Sequence, residues 1–474
     1  MTRHVKADIC IIGAGSGGLS VAAGAAQLGA KTVLFERAEM GGDCLNVGCV
    51  PSKSLIASAR AAYGVETANG YGADAELKDV DYRSAMTRVT EVIESIAPHD
   101  SQARFEGLGV EVIRSEARFT GPNEVTADDV VVTARAFVIA TGSKPAVPPI
   151  TGLDAVPYFT NETLFANREK PEHLIVLGGG AIGIEMAQTH RRLGSEVTLV
   201  EMATILPRED PELVAPLREK LKGEGIEIIE GARVDRVAEV ENGIEATITG
   251  DNPTTITASH LLVAAGRTPQ TANLDLDKAG IAATPKGITV DARLRTTNKR
   301  VYAIGDVAGG PQFTHAAGYH AGIIIRNALF RMPAKVDYRA LPWVTFSDPE
   351  LARIGLTEAE AREKHGDTVK ALRVPFADID RARTDGKTDG LIKVVVTGKG
   401  EILGASILGD HAGEHIHLWT LAMSQKLGLK AIASMIAPYP TMGEISKRAA
   451  GSFYAEKLFS AWPRRIVKFL GRFG

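Results

Sequence analysis

Residues 7–18 read ADICIIGAGSGG, and residues 173–183 read HLIVLGGGAIG. Each is an apolar run entering glycines spaced G-x-G-x-x-G: Gly13, Gly15 and Gly18 in one, Gly178, Gly180 and Gly183 in the other. The pattern predicts a strand, a tight turn and a helix, the first helix running over the Ala-rich stretch 19–29. A second apolar run follows each copy and ends in an acid, Glu36 after KTVLF and Glu201 after EVTLV, both 18 residues past the third glycine. One such motif is a weak signal, but two with their acids at the same distance mark two dinucleotide sites. The first glycine makes the turn, the second lets backbone approach a pyrophosphate, and the third lets the helix pack on the strand. The pyrophosphate then faces the positive helix N-terminus, and each Glu is placed to accept from ribose hydroxyls.

A chain of 474 residues is long enough for roughly two to four domains. Its 45% hydrophobic and 23% charged residues are those of a globular protein. A net charge of −3 gives no basic footprint, so no nucleic-acid partner is expected. The opening MTRHVK lacks the unbroken apolar stretch of a signal peptide, and no run reaches the roughly 20 apolar residues of a membrane span. A cytoplasmic location is expected.

Three cysteines, Cys10, Cys44 and Cys49, make no disulfide framework. Cys10 lies within the first apolar strand and reads as core. The segment GGDCLNVGCVPSKSL, 41–55, sets Cys44 and Cys49 five residues apart. On a regular helix that spacing is about 7.5 Å along the axis, beyond disulfide reach. If the two pair, the helix must break between them; Asn46 and Gly48 supply the freedom, and Pro51 disrupts a helix spanning both. Further along, FVIATGS (137–143), LVAAGRTP (262–269) and VYAIGDV (301–307) look like strands entering turns, the last with Asp306 exposed at its end.

These segments, in this order, resemble the pyridine nucleotide–disulfide oxidoreductases, which include dihydrolipoamide dehydrogenase, glutathione reductase and mercuric reductase. The resemblance runs over about residues 5–450. It implies an α/β fold with two Rossmann-like doubly wound domains, for FAD and NAD, and a C-terminal α+β dimerisation domain, assembled as a homodimer. The implied boundaries are 1–147 and 271–338 for FAD, 148–270 for NAD, 339–450 for the interface and 451–474 for a tail. CLNVGC matches the family's redox-active disulfide. By that resemblance Cys44 is the outer thiol that meets substrate and Cys49 lies against the flavin. Lys53 would approach the flavin N5 edge, paired with Glu185. Gly42, Thr141, Gly142, His315 and Ala316 are implied cofactor contacts, as are Gly266 and Arg267. Asp306 would hold the ribityl chain, and the helix starting near His315 would aim its positive end at the flavin. At the second site Glu201, followed by Met202 and Ala203, favours NAD(H) over its 2′-phosphorylated form.

The family's His-x-x-x-x-Glu unit is altered. APYPTMGE, 437–444, keeps Glu444 but puts Tyr439 where dihydrolipoamide dehydrogenase and glutathione reductase carry the acid–base His. A tyrosine of ordinary pKa near 10 is a poor base at neutral pH. Mercuric reductase also has tyrosine there, yet no cysteine follows Cys49 to serve as that enzyme's C-terminal pair. The first reading is an NADH-linked, dihydrolipoamide dehydrogenase-like reductase of a small-molecule disulfide. The second is a mercuric-reductase-like enzyme acting on metal ions or small oxidants. The third is a low-turnover flavin redox sensor or membrane-docked electron-transfer partner. His411, His415 and His417, in DHAGEHIHLW, read as a solvated or dimer-facing helix, and no metal site is expected. The tail sets Arg464, Lys468 and Arg472 opposite Ile466, Val467, Phe469, Leu470 and Phe473, the pattern of a basic amphipathic helix on a membrane surface or protein.

Overall fold

The computed structural model describes residues 2–473. The chain packs as two units: residues through Met202 with Glu227–Val336, and Ala203–Ile226 with Asp337 onwards.

In the first unit the strand Arg3–Ile12 is central. It pairs in parallel with Thr32–Phe35 on one side, Ile9 opposite Thr32, and with Val130–Ile139 on the other, Ile12 opposite Ile139. Val110–Ile113 extends the sheet beyond Thr32–Phe35, and Val301–Ala303 pairs in parallel with Phe137–Ile139. A late strand thus returns to an early sheet, which brings the turn after residue 303 beside the first glycine motif. Ile9, Cys10 and Ile11 are fully buried, as a parallel sheet covered on both faces requires. The second glycine motif repeats this plan. His173–Leu177 lies between Glu196–Glu201 and His260–Val263, parallel to both. A three-stranded antiparallel sheet, Arg233–Val240, Gly243–Thr249 and Thr254–Ala258, follows the second βαβ turn.

The first motif helix runs over Ser16–Gln27, earlier than the expected 19–29. Gly15 is its N-cap, so the last glycine of the motif already belongs to the first helical turn.

The second unit is a five-stranded antiparallel sheet in the order Pro342–Thr345, Glu350–Gly355, Ile402–Gly409, Leu391–Thr397, Val369–Pro375. Ile402–Gly409 is buried along its whole length. The helices Ala412–Ser424 and Glu444–Leu458 join its core through Trp419, Ile445, Ala449 and Phe453. The second of these helices crosses the expected boundary at 450, with Phe453 still in the core. His411 is the left-handed N-cap of Ala412–Ser424 rather than a residue of the helix itself.

Residues 203–226, expected within an NAD domain, pack instead with this sheet, and one side chain shows why. Lys393 Nζ, on a side chain 5% exposed, sits 2.7 Å from Asp210, 2.8 Å from Glu212 and 2.9 Å from Glu358. Asp210 also caps the helix Pro211–Gly223. Lys393→Met should therefore cost about 3–5 kcal/mol, since it removes the cation facing buried Asp210. Thermal unfolding reads this out; a loss under about 1 kcal/mol would mean the carboxylates are satisfied without it.

Candidate active site

The two glycine turns agree in detail. Gly13 and Gly178 have φ of +105° and +108°, and a Cβ on either would lie 2.5 Å from a carbonyl oxygen, of Ala140 or Ala264. A Cβ on Gly18 would meet Gly13 O at 1.9 Å, and one on Gly183 would meet Gly178 O at 1.9 Å. At the middle glycines, Gly15 and Gly180, it would meet nothing within 4 Å. The outer glycines are fixed by close packing, while the middle ones face open space, as a bound pyrophosphate needs. The acids match too. Glu36 accepts from the backbone N–H of Ala14 at 2.6 Å and of Ala38 at 2.7 Å, and Glu201 accepts from that of Gly179 at 2.7 Å. Each carboxylate is thereby held at the residue between first and second glycine. Both cradles fit a dinucleotide.

The cysteine segment breaks where expected. Gly42–Asn46 is a short helix, Gly48 is the N-cap of the next, and Cys49–Thr67 follows with Pro51 in its first turn. A Cβ on Gly48 would lie 2.7 Å from Asp43 Oδ2, and one on Gly42 would lie 2.7 Å from the Cα of Gly15. The redox segment therefore packs directly against the first dinucleotide turn. Cys10 is buried, Cys44 half-buried and Cys49 exposed, all three as free thiols.

Cys44 and Cys49 hydrogen-bond to each other, and their acidities part. That bond, with burial, pushes the Cys44 thiol far up. The same bond draws Cys49 down to about 6, helped by Thr314 and Lys53. Thr314 Oγ1 lies 3.4 Å from Cys49 Sγ, at the start of the helix Thr314–Ile324. Lys53, one turn after Cys49, donates to Glu185 at 2.8 Å, and the Glu185 side chain is 5% exposed. The arrangement stores a thiolate at Cys49 and a proton at Cys44.

Around this pair the structure gathers residues that the motifs did not reveal. Ser143–Pro145 pairs antiparallel with Arg267–Pro269. Arg267 then donates from Nε to Ser143 Oγ at 2.7 Å and from Nη2 to Asp43 Oδ1 at 2.9 Å, while Asn161 also donates to Asp43, at 3.0 Å. Ser143 in turn bonds Asp306. Asp306, expected to be exposed, is 21% exposed, and burial raises its pKa. Buried His320 accepts from the backbone N–H of Gly305 at 3.1 Å, its pKa lowered by burial to about 4, so it stays neutral there. Arg267 thus clamps the redox segment as well as the turn holding Asp306. Asp43 lies in GGDCLNVGCVPSKSL and Ser143 closes FVIATGS, but neither was given a role there, and Asn161, Thr314 and His320 lie in no segment singled out.

The remaining expected residues fall as follows. Thr141 donates to Gln270 O at 2.6 Å, Gly142 and Gly266 turn the chain at φ +70° and +120°, His315 stacks on Phe313, and Ala316 is buried. In the second unit Glu444 accepts weakly from the backbone N–H of Thr441 at 3.5 Å. Tyr439 is exposed and donates to Asp380 at 3.2 Å, a bond that raises its pKa above the ordinary tyrosine value. Among the described residues no group of three or more His, Cys, Asp or Glu is arranged to hold a metal ion.

Comparison with known proteins places this geometry. The chain is 36% identical to a mercuric reductase of Streptomyces lividans, over 96% of its own length and 98% of the relative's. It is 37% identical to a dihydrolipoyl dehydrogenase of Thermus scotoductus, over 95% and 98%. The solved structure of the HOCl-induced flavoprotein disulfide reductase RclA from Escherichia coli superposes with a TM-score of 0.83 at 31% identity, covering 94% of this chain and 99% of that one; a Cu(II) complex of RclA matches with the same score. The model of the pyridine nucleotide-disulphide oxidoreductases matches residues 7–321, and that of their dimerisation domain residues 341–450, which supports a homodimer. The chain therefore belongs to the pyridine nucleotide-disulphide oxidoreductase family, as an FAD flavoprotein and disulfide oxidoreductase that uses NAD(P)H.

Proposed function

We propose that this chain uses NADH to reduce, at Cys44 and Cys49, a thiol-binding metal ion or small oxidant rather than a disulfide of the lipoamide kind. Tyr439 carries the reading. Held by Asp380 with a raised pKa, it is a hydroxyl that keeps its proton at neutral pH, at the family's acid–base position. The Cys44 thiol is itself held protonated by its partner thiolate. Attack on a disulfide needs Cys44 deprotonated first, and so needs a base. A soft metal ion displaces the thiol proton as it binds.

Bound FAD would supply the two-electron relay between NADH and the cysteines. Gly13, Gly15, Gly18, Gly42 and Glu36 hold its nucleotide end, and Thr141, Gly142, Asp306, His315 and Ala316 the remainder. Gly178, Gly180, Gly183 and Glu201 hold NADH, with Glu201 accepting from the 2′-hydroxyl and disfavouring a 2′-phosphate there. Arg267 and Gly266 fix the turn between the two. Lys53, positioned by Glu185, steadies the Cys49 thiolate, and Cys44 meets the acceptor. The electrons balance: one NADH reduces one Hg(II) to Hg(0), or two Cu(II) to Cu(I). The mercuric reductase relatives and the copper complex of RclA support the reading by likeness alone.

The test is NADH oxidation with Hg(II), Cu(II), lipoamide and glutathione disulfide as separate acceptors. A metal ion should turn over at least about tenfold faster than either disulfide; fast lipoamide turnover would sink the proposal. A second reading concerns residues 451–474. The helix Ala461–Leu470 has no buried residue, and we read it as a docking segment apart from the redox site.

A further inference from the structure

Resting on that docking reading, we propose that the helix Ala461–Leu470 and the turn after it lie in the plane of an anionic lipid bilayer surface. At 100° per residue, Trp462, Ile466, Phe469 and Leu470 fall at i, i+4, i+7 and i+8, within an arc of about 100°, and Phe473 follows in the turn after the helix. This stripe is open. Trp462 is 71% exposed, Phe469 56%, Leu470 58% and Phe473 75%, and Leu458 and Phe459 continue the apolar surface into the preceding turn. Phe469 and Phe473 pack edge to face, 5.1 Å apart, on the stripe itself.

The rest of the helix surface carries Arg464, Arg465 and Lys468, with exposed Val467 among them and Arg472 in the turn that follows, all four cations exposed. Among the described residues no carboxylate lies within salt-bridge distance of any of them. From Lys457 to the end the sequence holds five cations and no acid, on a chain whose net charge is −3. The segment is the cationic end of an anionic protein.

That charge selects the occupant. A second copy seated on the stripe by two-fold symmetry would cover the apolar face but leave the cations of each helix turned away from its mate, with no counter-charge. An anionic headgroup layer meets the cations and the apolar stripe together, with aromatic rings at the depth they favour. The ten-residue helix spans about 15 Å, half the hydrocarbon thickness of a bilayer, so it lies along the surface. No helix among the described residues is long and apolar enough to cross a membrane.

Flotation of the full-length flavoprotein with lipid vesicles tests this. It should float with phosphatidylglycerol-rich vesicles at low salt, at least about tenfold more than with phosphatidylcholine vesicles, and come off at about 0.5 M salt. W462D/F469D and R464E/R465E/K468E should each abolish flotation and leave NADH oxidation by ferricyanide unchanged. Absence of flotation, or equal flotation on neutral vesicles, overturns the bilayer. If W462D/F469D also splits the dimer in sedimentation velocity, a second copy covers the stripe and only the docking reading survives. If nothing floats and the dimer is unaltered, the docking reading falls as well. The acceptor panel above is independent of every one of these outcomes.

Discussion

Cys44→Ser should lower NADH-dependent turnover of metal ions and disulfides by at least about 10³-fold while ferricyanide reduction stays within about threefold. The asymmetry follows from the division of labour between the two thiols. Cys44 keeps its proton and is half-buried, whereas Cys49 carries the negative charge. A serine at 44 can still donate a hydrogen bond to Cys49, so the thiolate should survive. It cannot be oxidised to a disulfide and is a poor ligand for a soft metal, so the exit to the acceptor closes. Ferricyanide takes electrons one at a time and does not need the outer thiol. The variant should remain yellow and unfold at the wild-type temperature, which separates lost chemistry from lost folding. If acceptor turnover persists, Cys44 is not the outer thiol and the order of the pair must be reversed.

Much of this architecture was legible because glycine spacing encodes backbone contacts. The 1.9 Å approach at Gly18 and again at Gly183 is a property of the G-x-G-x-x-G turn, and no other residue type satisfies it. A break between Cys44 and Cys49 was expected if the two pair, and Gly48 stands where the chain turns past Asp43. The clamp around Arg267 was not legible in the same way. It joins residues 43, 143, 161, 267 and 306, brought together only by the antiparallel pairing of Ser143–Pro145 with Arg267–Pro269. Such long-range pairing leaves no periodic trace in sequence. The allegiance of residues 203–226 was hidden for the same reason. Its cause is Lys393 reaching Asp210, a contact between residues far apart in sequence.

Tyr439 shows the opposite case. The substitution was visible in APYPTMGE, but its consequence depended on a partner 59 residues away in sequence. The bond to Asp380 turns a merely poor base into a poorer one. A free tyrosine could have been tuned downward by a nearby cation; this one faces a carboxylate.

The pH dependence of Cys49 is the second large effect. Its pKa, about 6, lies below the ordinary thiol value, with the bond from Cys44 as the largest cause and Thr314 and Lys53 adding to it. Above pH 6 the reduced protein therefore holds an anion that an unfolded chain would acquire only near pH 8.5. The folded state gains stability that is fully present above the unfolded value and is lost as pH falls through about 6. Alkylation of the reduced protein by iodoacetamide, mapped to Cys49 by mass spectrometry, should be half-maximal near pH 6 and flat above it. Thr314→Val removes the hydroxyl 3.4 Å from the sulfur, and Lys53→Met removes the ammonium one turn along the same helix. Each should move the midpoint upward. If both together restored an ordinary pKa, the thiolate fraction at pH 7 would fall from about nine-tenths to a few per cent, slowing alkylation roughly thirtyfold. Thr314→Ser, which keeps the hydroxyl, should recover most of the wild-type profile. A midpoint unmoved by either substitution would mean that Cys44 alone sets the acidity of its partner, and that Thr314 and Lys53 act only on packing.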